Sequence, residues 1–218
     1  MESKRSNATF HGVTFDVPAL HGVYILRNFF SHDECDKLIL ESEQWGTNPA
    51  EVYHTPGQFK DAMVDHKTRK GHVRHWDLNS NGPSWFHSIL KTAANRYADL
   101  FPHHPSFDRK NPKLSVEVAC YTEPGDHFTA HQDVYIRSEH CVDPVRATQT
   151  RKLSMSCILS DEHSGCMLEM INGRDKHPIP TFKGDIVLFP SYAVHRVTPL
   201  EDGKRYALIC WVLGDFWR

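Results

Sequence analysis

The chain lacks three features that would point to other classes of protein. No stretch approaches about eighteen consecutive apolar residues and the N-terminus is polar, so we expect neither a membrane span nor a signal peptide. Neither sign of charge dominates, since 25 Lys and Arg face 27 Asp and Glu, and this gives no electrostatic reason to bind nucleic acid or an acidic membrane. The six cysteines form no Cys-x-x-Cys pair, which argues against a zinc ribbon or disulfide framework and favours a cytoplasmic location.

The C-terminal half carries a regular series of short strand-like runs separated by turn residues. They cover 114–121, 128–134, 152–160, 166–171, 177–181, 185–189, 195–199 and 204–213. Such a series predicts an antiparallel barrel or jelly roll. With 218 residues and 39% apolar content, we expect one α+β, mainly β domain over 1–218. Residues 113–218 would form its jelly-roll core and 1–112 an N-terminal support of strands and helices.

The N-terminal support is predicted from local signals. Ser31 and Glu34 have the spacing of a capping box, which predicts a helix to about Glu43 after a strand at 23–30. An apolar stripe predicts a second helix from about Pro83 to Leu100. We also expect short strands at 13–17 and 73–78, with an irregular loop over 45–71.

The motif His131-Gln132-Asp133 lies in one of the strand-like runs of the core. In an extended chain, residues i and i+2 point to the same face, so one strand can present an imidazole and a carboxylate to one ion. His195 follows after a strand-like run and turn at 184–190. Two histidines and one carboxylate are the facial triad of non-haem Fe(II) oxygenases, so these residues predict an iron site with open coordination positions.

Sixteen histidines make chance matches to such a motif common. One such match is the His-x-Glu at 32–34. It is explained by helix capping, because it follows Ser31 and its Glu34 belongs to the capping box. The second His-x-Asp, at 75–77, has no comparable partners downstream, so we assign it to packing or substrate contact. His127 lies close to the motif, but no carboxylate follows it at i+2. The motif at 131–133 differs because a distal histidine follows it and Arg205 lies ten residues beyond that histidine.

Together, these motifs resemble the Fe(II)/2-oxoglutarate-dependent dioxygenases, specifically their prolyl 4-hydroxylase-like and PKHD-type branch. The resemblance is dense over 114–213 and implies a double-stranded β-helix, which is a form of jelly roll. It departs from the family at Gly165-Cys166, where two glycines are common, and Arg205 stands where many prolyl 4-hydroxylases have lysine. The residues that carry it are Tyr121, 131–133, 151–161, 165–168, 184–190, 195–199 and 203–211.

The resemblance implies Fe(II) as the metal and 2-oxoglutarate as co-substrate, with ascorbate as a further candidate. It implies hydroxylation of an amino-acid residue in a peptide or protein, or of a small amino-acid-like molecule, with release of succinate and CO₂. His131, Asp133 and His195 would be the catalytic metal ligands, and Arg205 with Tyr121 would bind the far carboxylate of the co-substrate. We expect a monomer or homodimer.

One alternative from another class stays open, a non-catalytic cupin-like sensor or binding protein that uses the same metal ligands. A buried cation at Arg205 would argue against it, because a protein that binds only metal has no use for that charge. A zinc hydrolase is disfavoured because no glutamate is placed as its general base. A halogenase is disfavoured because such relatives lack the carboxylate of Asp133.

Two further expectations concern backbone geometry near the motif. If 201–203 form a three-residue hairpin loop with Gly203 left-handed, Pro199 pairs with Arg205, and Arg205 faces the same cavity as His195. A two-residue turn would put Arg205 on the other face. The polar segment 135–151 predicts a mobile flap beside the metal.

Overall fold

A computed structural model describes residues 22–52, 63–76, 85–103, 107–135 and 147–216, and the backbone of 11–14. It contains two helices, α1 (His32–Ser42) and α2 (Trp85–Leu100), and a 3-10 turn at Glu43–Trp45. Within these described segments, no helix is long and apolar enough to cross a membrane. The strands are β1 (His11–Thr14), β2 (Tyr24–Arg27), β3 (Asn48–Pro49), β4 (Arg69–Lys70), β5 (His72–His75), β6 (Lys113–Tyr121), β7 (His127–His131), β8 (Gln149–Ile158), β9 (His163–Gly165), β10 (Leu168–Asn172), β11 (Asp175–Pro178), β12 (Ile186–Pro190), β13 (His195–Val197), β14 (Leu200–Gly203) and β15 (Arg205–Asp215).

Two antiparallel sheets enclose the interior of the jelly roll. The larger has eight strands in the order β1-β2-β12-β8-β15-β6-β5-β3, and the smaller has five in the order β11-β10-β13-β7-β4. A two-stranded ribbon of β14 and β9 completes the strands described. This architecture confirms the predicted mainly β, jelly-roll class with supporting helices.

The central strand β15 shows how the larger sheet divides its two faces. Because side chains alternate along a strand, Leu208, Cys210 and Val212 join the main apolar core, to which both helices also contribute. Residues of the other parity, among them Arg205 and Trp211, line a cavity between the two sheets. The larger sheet therefore has an apolar face against the helices and a chemically mixed face towards the smaller sheet.

Both predicted helices are present, and the start of α1 follows the sequence signal. Ser31 is its N-cap, and the reciprocal bonds of a capping box join the side chains and backbones of Ser31 and Glu34. Helix α2 buries Phe86, Leu90 and Tyr97 along one stripe. The segment 45–71 is not wholly irregular, because β3 and β4 lie in it, and residues 53–62 lie outside the described part.

The predicted pairing of Pro199 with Arg205 is wrong. Strand β14 pairs with β9, and Arg205 begins β15, where it lies opposite Tyr121 of β6. Gly203 does have a positive φ of 79°, as the loop argument required. A Cβ there would lie 2.1 Å from the carbonyl oxygen of Glu162, so only glycine fits where the chain leaves the ribbon for the larger sheet.

Two boundaries near the motif also differ from expectation. Strand β7 ends at His131, so Asp133 lies just beyond the strand and not within it. Residues 149–151 of the predicted flap belong to β8, so the prediction is wrong for them. The middle of the predicted flap, residues 136–146, lies outside the described residues.

Candidate metal centre

His131, Asp133 and His195 converge on one point between the sheets. His131 ends β7 and lies directly opposite His195, the first residue of β13. The Asp133 carboxylate lies 3.6 Å from Nε2 of His131 and 3.5 Å from Nε2 of His195. The three potential ligand atoms lie within 4.8 Å of one another, so these side chains could hold a metal ion.

Backbone carbonyls orient both imidazoles. Nδ1 of His131 lies 2.7 Å from the carbonyl oxygen of Thr129, and Nδ1 of His195 lies 2.9 Å from that of Ala193. A carbonyl oxygen can only accept, so in the neutral ring the proton sits on Nδ1 and the lone pair on Nε2. Each histidine therefore presents its lone pair towards Asp133, as metal coordination requires.

Asp133 is held by its backbone and by a serine pair. Its N–H donates to the carbonyl oxygen of Ser191 at 2.9 Å. Ser154 Oγ donates to its carboxylate at 2.7 Å and lies 2.9 Å from the Ser191 hydroxyl. These bonds turn the carboxylate towards the histidines although the residue lies outside a strand.

The electrostatics of the cluster also suit a cation. Burial opposes ionisation of Asp133, but His195 and His131 outweigh it and hold the pKa of the carboxyl group below its ordinary value. Burial, with the neighbouring His195, lowers the pKa of His131 to about 3. At neutral pH the cluster therefore consists of an ionised carboxylate and a neutral His131.

Arg205 and Tyr121 lie together in the same cavity, on neighbouring strands of the larger sheet. The Arg205 side chain is 2% exposed, and its guanidinium lies 5.4 Å from the centroid of the Tyr121 ring. Arg205 Nη1 is buried without a hydrogen-bond partner, and no carboxylate of the described segments forms an ion pair with this guanidinium. Burial raises the pKa of Tyr121, so its hydroxyl keeps its proton. An unsatisfied buried cation beside a phenol fits the far carboxylate of a diacid such as 2-oxoglutarate.

The cavity has a volume of about 370 Å³, and all five residues singled out from the sequence line it. The two histidines come from the smaller sheet, whereas Arg205 and Tyr121 come from the larger one. Arg205 therefore shares a cavity with His195, as expected, because the two sheets face each other. The hairpin invoked to explain this does not exist.

The competing histidines do not join this cluster, although His75 lines the same cavity. His75 is 59% exposed and lies 3.5 Å from Glu117, and Asp77 is outside the described residues. Both ring nitrogens of His127 contact backbone carbonyls, those of Gly125 and Lys67. His32, in the first turn of α1, is exposed.

Four cavity residues were missed as site residues in the sequence, two at each of two places. Trp211 was given no role in the site and Arg151 was assigned to the flap, yet the Arg151 guanidinium lies 3.4 Å from the centroid of the Trp211 ring inside the cavity. Arg69 and Glu117 form an ion pair of 2.8 Å on the cavity wall. The alternation of side chains along a strand could have identified two of them, because residues an even number of positions apart point to the same face. Trp211 lies six residues from Arg205, and Glu117 lies four residues from Tyr121.

Comparison with known proteins gives a consistent result. Residues 116–213 match the profile of the 2OG-Fe(II) oxygenase superfamily. A PKHD-type hydroxylase of Synechococcus sp. (strain CC9605) is 36% identical over 76 residues, which are 34% of this chain and 34% of that protein. A second, from Psychrobacter sp. (strain PRwf-1), is 23% identical over 180 residues, 80% of this chain and 66% of that protein. The chain thus spans between about a third and two thirds of these relatives.

Solved structures share the fold. The viral collagen prolyl hydroxylase of Paramecium Bursaria Chlorella virus-1, in its 2OG complex, matches with a TM-score of 0.60 at 16% identity. The match covers 88% of this chain and 96% of that one. At this identity the likeness concerns the fold alone, a jelly roll with supporting helices.

Proposed function

We propose that the chain is an Fe(II)- and 2-oxoglutarate-dependent hydroxylase, because residues 116–213 match the model of the 2OG-Fe(II) oxygenase superfamily. The observation that carries the proposal is one cavity with a His-Asp-His cluster at one place and an unsatisfied buried arginine at another. The cluster fits a metal ion and the arginine fits the far carboxylate of 2-oxoglutarate. Both are needed for this chemistry.

The bound iron and co-substrate would supply the oxidation, in which substrate C–H, 2-oxoglutarate and O₂ give C–OH, succinate and CO₂. The chain's own residues bind and orient. His131, Asp133 and His195 would hold the ion on one side only, which leaves positions for the co-substrate. The guanidinium of Arg205 would pair with the far carboxylate, and the Tyr121 hydroxyl would donate a second bond to it.

We propose an amino-acid residue of a peptide or protein, or a small amino-acid-like molecule, as the substrate. The name of the viral collagen prolyl hydroxylase supports this class, and the names of the PKHD-type relatives support hydroxylation. Arg205 in place of lysine keeps prolyl hydroxylation from being assumed. We further propose a single domain with 1–112 as its support, a cytoplasmic monomer or homodimer, and ascorbate as the reductant that keeps the iron ferrous.

A cupin-like sensor with the same metal ligands remains the competing function, and anaerobic titration separates the two. Fe(II) is added to the metal-free protein, then 2-oxoglutarate, while the weak visible charge-transfer band of a chelated 2-oxo acid is followed. A hydroxylase develops the band and, once O₂ is admitted, converts 2-oxoglutarate to succinate. Iron binding without the band would support the sensor.

A matched pair of histidine variants sharpens this test. His131→Ala should abolish the band because it removes one of the three metal ligands. His127→Ala removes a neighbouring histidine that contacts only backbone carbonyls, and it should retain the band. Loss of the band in both variants would indicate damage to β7 and not loss of a ligand.

A further inference from the structure

A β-bulge in β7 places the ring of Phe128 against that of His131. On a regular strand, side chains three residues apart point to opposite faces. On β13, His195 and Val197 lie two residues apart. Their partners on β7, His131 and Phe128, lie three apart, so β7 carries one extra residue. The bulge turns Phe128 to the face of His131, and the two rings stack with centroids 3.5 Å apart and 15° between their planes.

A guanidinium covers the other face of the Phe128 ring. Arg69 pairs with Phe128 across β4 and β7, and its guanidinium carbon lies 4.7 Å from the centroid of the phenyl ring. The imidazole of His131 already occupies one face at contact distance, so the guanidinium lies over the opposite face. Because a cation is attracted to the face of an aromatic ring, the phenyl ring is held from both sides.

Glu117 fixes the guanidinium in turn. Nη2 of Arg69 donates to Oε1 of Glu117 at 2.8 Å. Glu117 is 4% exposed and the Arg69 side chain 12% exposed, so this ion pair is screened much less than a surface pair. Glu117 belongs to β6 of the larger sheet, and it therefore holds Arg69 from the opposite wall of the cavity. Glu117, Arg69, Phe128 and His131 form one column of contacts, which ends at the His-Asp-His cluster.

The column supplies a restraint that the backbone bond of His131 lacks. The contact of Nδ1 with the carbonyl oxygen of Thr129 fixes one corner of the imidazole but lets the ring turn about that corner. A parallel ring at 3.5 Å removes this freedom, because turning would drive the imidazole into the phenyl ring of Phe128. The lone pair of Nε2 lies in the plane of the ring, so its direction depends on both restraints.

His195 shows a different arrangement. Its Nδ1 also contacts a backbone carbonyl, that of Ala193, but the nearby ring of Phe189 meets it at 63° with centroids 4.7 Å apart. Such an edge contact does not lie flat against the imidazole. The side chain of His195 is 7% exposed, whereas that of His131 is 17% exposed. The surrounding packing therefore restrains His131 less, and the stack compensates at this more open ligand.

We propose that Phe128 and Arg69 are positioning residues that fix the plane of His131 for metal binding, with Glu117 holding Arg69 in place. The proposal rests on the proposed function in one respect, since it takes the His-Asp-His cluster to hold a metal ion. A positive charge at Arg69 would by itself repel a divalent cation. A positioning role and a purely electrostatic role therefore predict opposite effects when that charge is removed.

The test uses Co(II) alone as the metal probe, titrated into the metal-free full chain. The visible absorption of bound Co(II) gives its affinity, and the shape of the band depends on the arrangement of the ligands. Phe128→Leu should weaken Co(II) binding roughly tenfold to a hundredfold and change the band, because the imidazole is then free to turn. Phe128→Tyr keeps the flat ring and should restore both the affinity and the band.

Phe101→Leu is the matched control for loss of packing. Phe101 is half-buried against the rings of Tyr24 and Tyr97 and does not line the cavity. The control should lower the melting temperature of the metal-free protein while leaving Co(II) affinity and the band unchanged.

The variants at Arg69 decide between position and charge. Arg69→Met combined with Glu117→Gln removes the pair without leaving a buried carboxylate unpartnered, and it should weaken Co(II) binding roughly tenfold. Arg69→Lys should retain part of the affinity, because the ion pair survives but the flat guanidinium does not. Arg27→Met is the control, since Arg27 also lies over a phenyl ring, that of Phe182, and pairs with a buried carboxylate, that of Asp185, away from the cavity. It should leave Co(II) binding unchanged.

Three results would overturn the positioning role. They are wild-type affinity and band shape in Phe128→Leu, tighter Co(II) binding in the double variant, and a loss of affinity in Phe101→Leu as large as that in Phe128→Leu. In each case, Co(II) binding by the wild-type protein would leave the metal centre and the hydroxylase assignment standing. Absence of Co(II) binding in the wild-type protein would overturn the metal centre, and with it the proposed function and the role of the column.

Discussion

Arg205→Met should reduce co-substrate binding without reducing the stability of the free protein. Removing one partner of a desolvated charge pair costs about 2–5 kcal/mol, which corresponds to roughly a 30-fold or greater loss of 2-oxoglutarate affinity at about 1.4 kcal/mol per decade. In the free protein the guanidinium is 2% exposed and has no carboxylate partner in the described segments, so its burial is unfavourable. Methionine keeps an unbranched apolar stem and removes the charge. The free energy of unfolding should therefore stay equal or rise by on the order of 1 kcal/mol.

Two measurements on one set of variants test this reasoning. Anaerobic titration of the charge-transfer band gives 2-oxoglutarate affinity, and calorimetry of the metal-free protein gives the melting temperature. For a chain of this length, 1 kcal/mol corresponds to a shift of about 2–4 °C. Arg205→Lys should recover part of the affinity, because the charge remains but the planar pair of donors is lost.

Arg196→Met provides the control. Arg196 follows His195 on β13 but pairs with Glu169 at 2.6 Å, and it does not line the cavity. Its loss should leave 2-oxoglutarate affinity unchanged. If Arg205→Met bound 2-oxoglutarate like the wild type and melted more than about 4 °C lower, Arg205 would be a structural residue and the anchor would lie elsewhere.

Three further predictions follow from the site and the fold. Alanine at His131, Asp133 or His195 should remove most Fe(II) affinity and all 2-oxoglutarate turnover, and turnover that survives His131→Ala but not His75→Ala would show that the wrong His-x-Asp had been chosen. Burial raises the pKa of the Cys120 and Cys166 thiols to about 11, so at pH 8 only about one thiol in a thousand is ionised. Iodoacetamide should therefore label them slowly in native protein and fast in denaturant, which mass spectrometry would show. Fast labelling of the native protein would contradict their burial. Gly203→Ala should lower the melting temperature more than Gly173→Ala, because both have positive φ but only Gly203 has a carbonyl oxygen 2.1 Å from the added Cβ; equal losses would mean that the contact with Glu162 relaxes freely.

Local signals predicted much of the fold. The start of α1 follows from two residues three positions apart, Ser31 and Glu34, whose mutual bonds need nothing else in the chain. The jelly-roll strands were recognisable because apolar alternation and turn residues are properties of short segments. The residues of the His-Asp-His cluster were recognisable for a similar reason, since residue type and spacing carry most of that pattern.

Pairing partners were not predictable because they depend on distant segments. Nothing near Arg205 indicates that β14 turns away to β9 and that Arg205 pairs with Tyr121 instead. Asp133 lies outside its predicted strand, and its orientation depends on Ser191 and Ser154. The contact between Arg151 and Trp211 joins β8 to β15 and becomes visible only when the strand order is known.

The division of the site between two sheets has a consequence for how the chain responds to its ligands. The histidines belong to the smaller sheet and Arg205 to the larger one, so a diacid chelated at the metal and paired with Arg205 would bridge the two layers. Such a ligand acts as a removable cross-link through the middle of the domain. The affinity for that ligand would then depend on the distance between the two sheets. A substitution far from the cavity that changes this distance should therefore alter co-substrate binding before it alters metal binding.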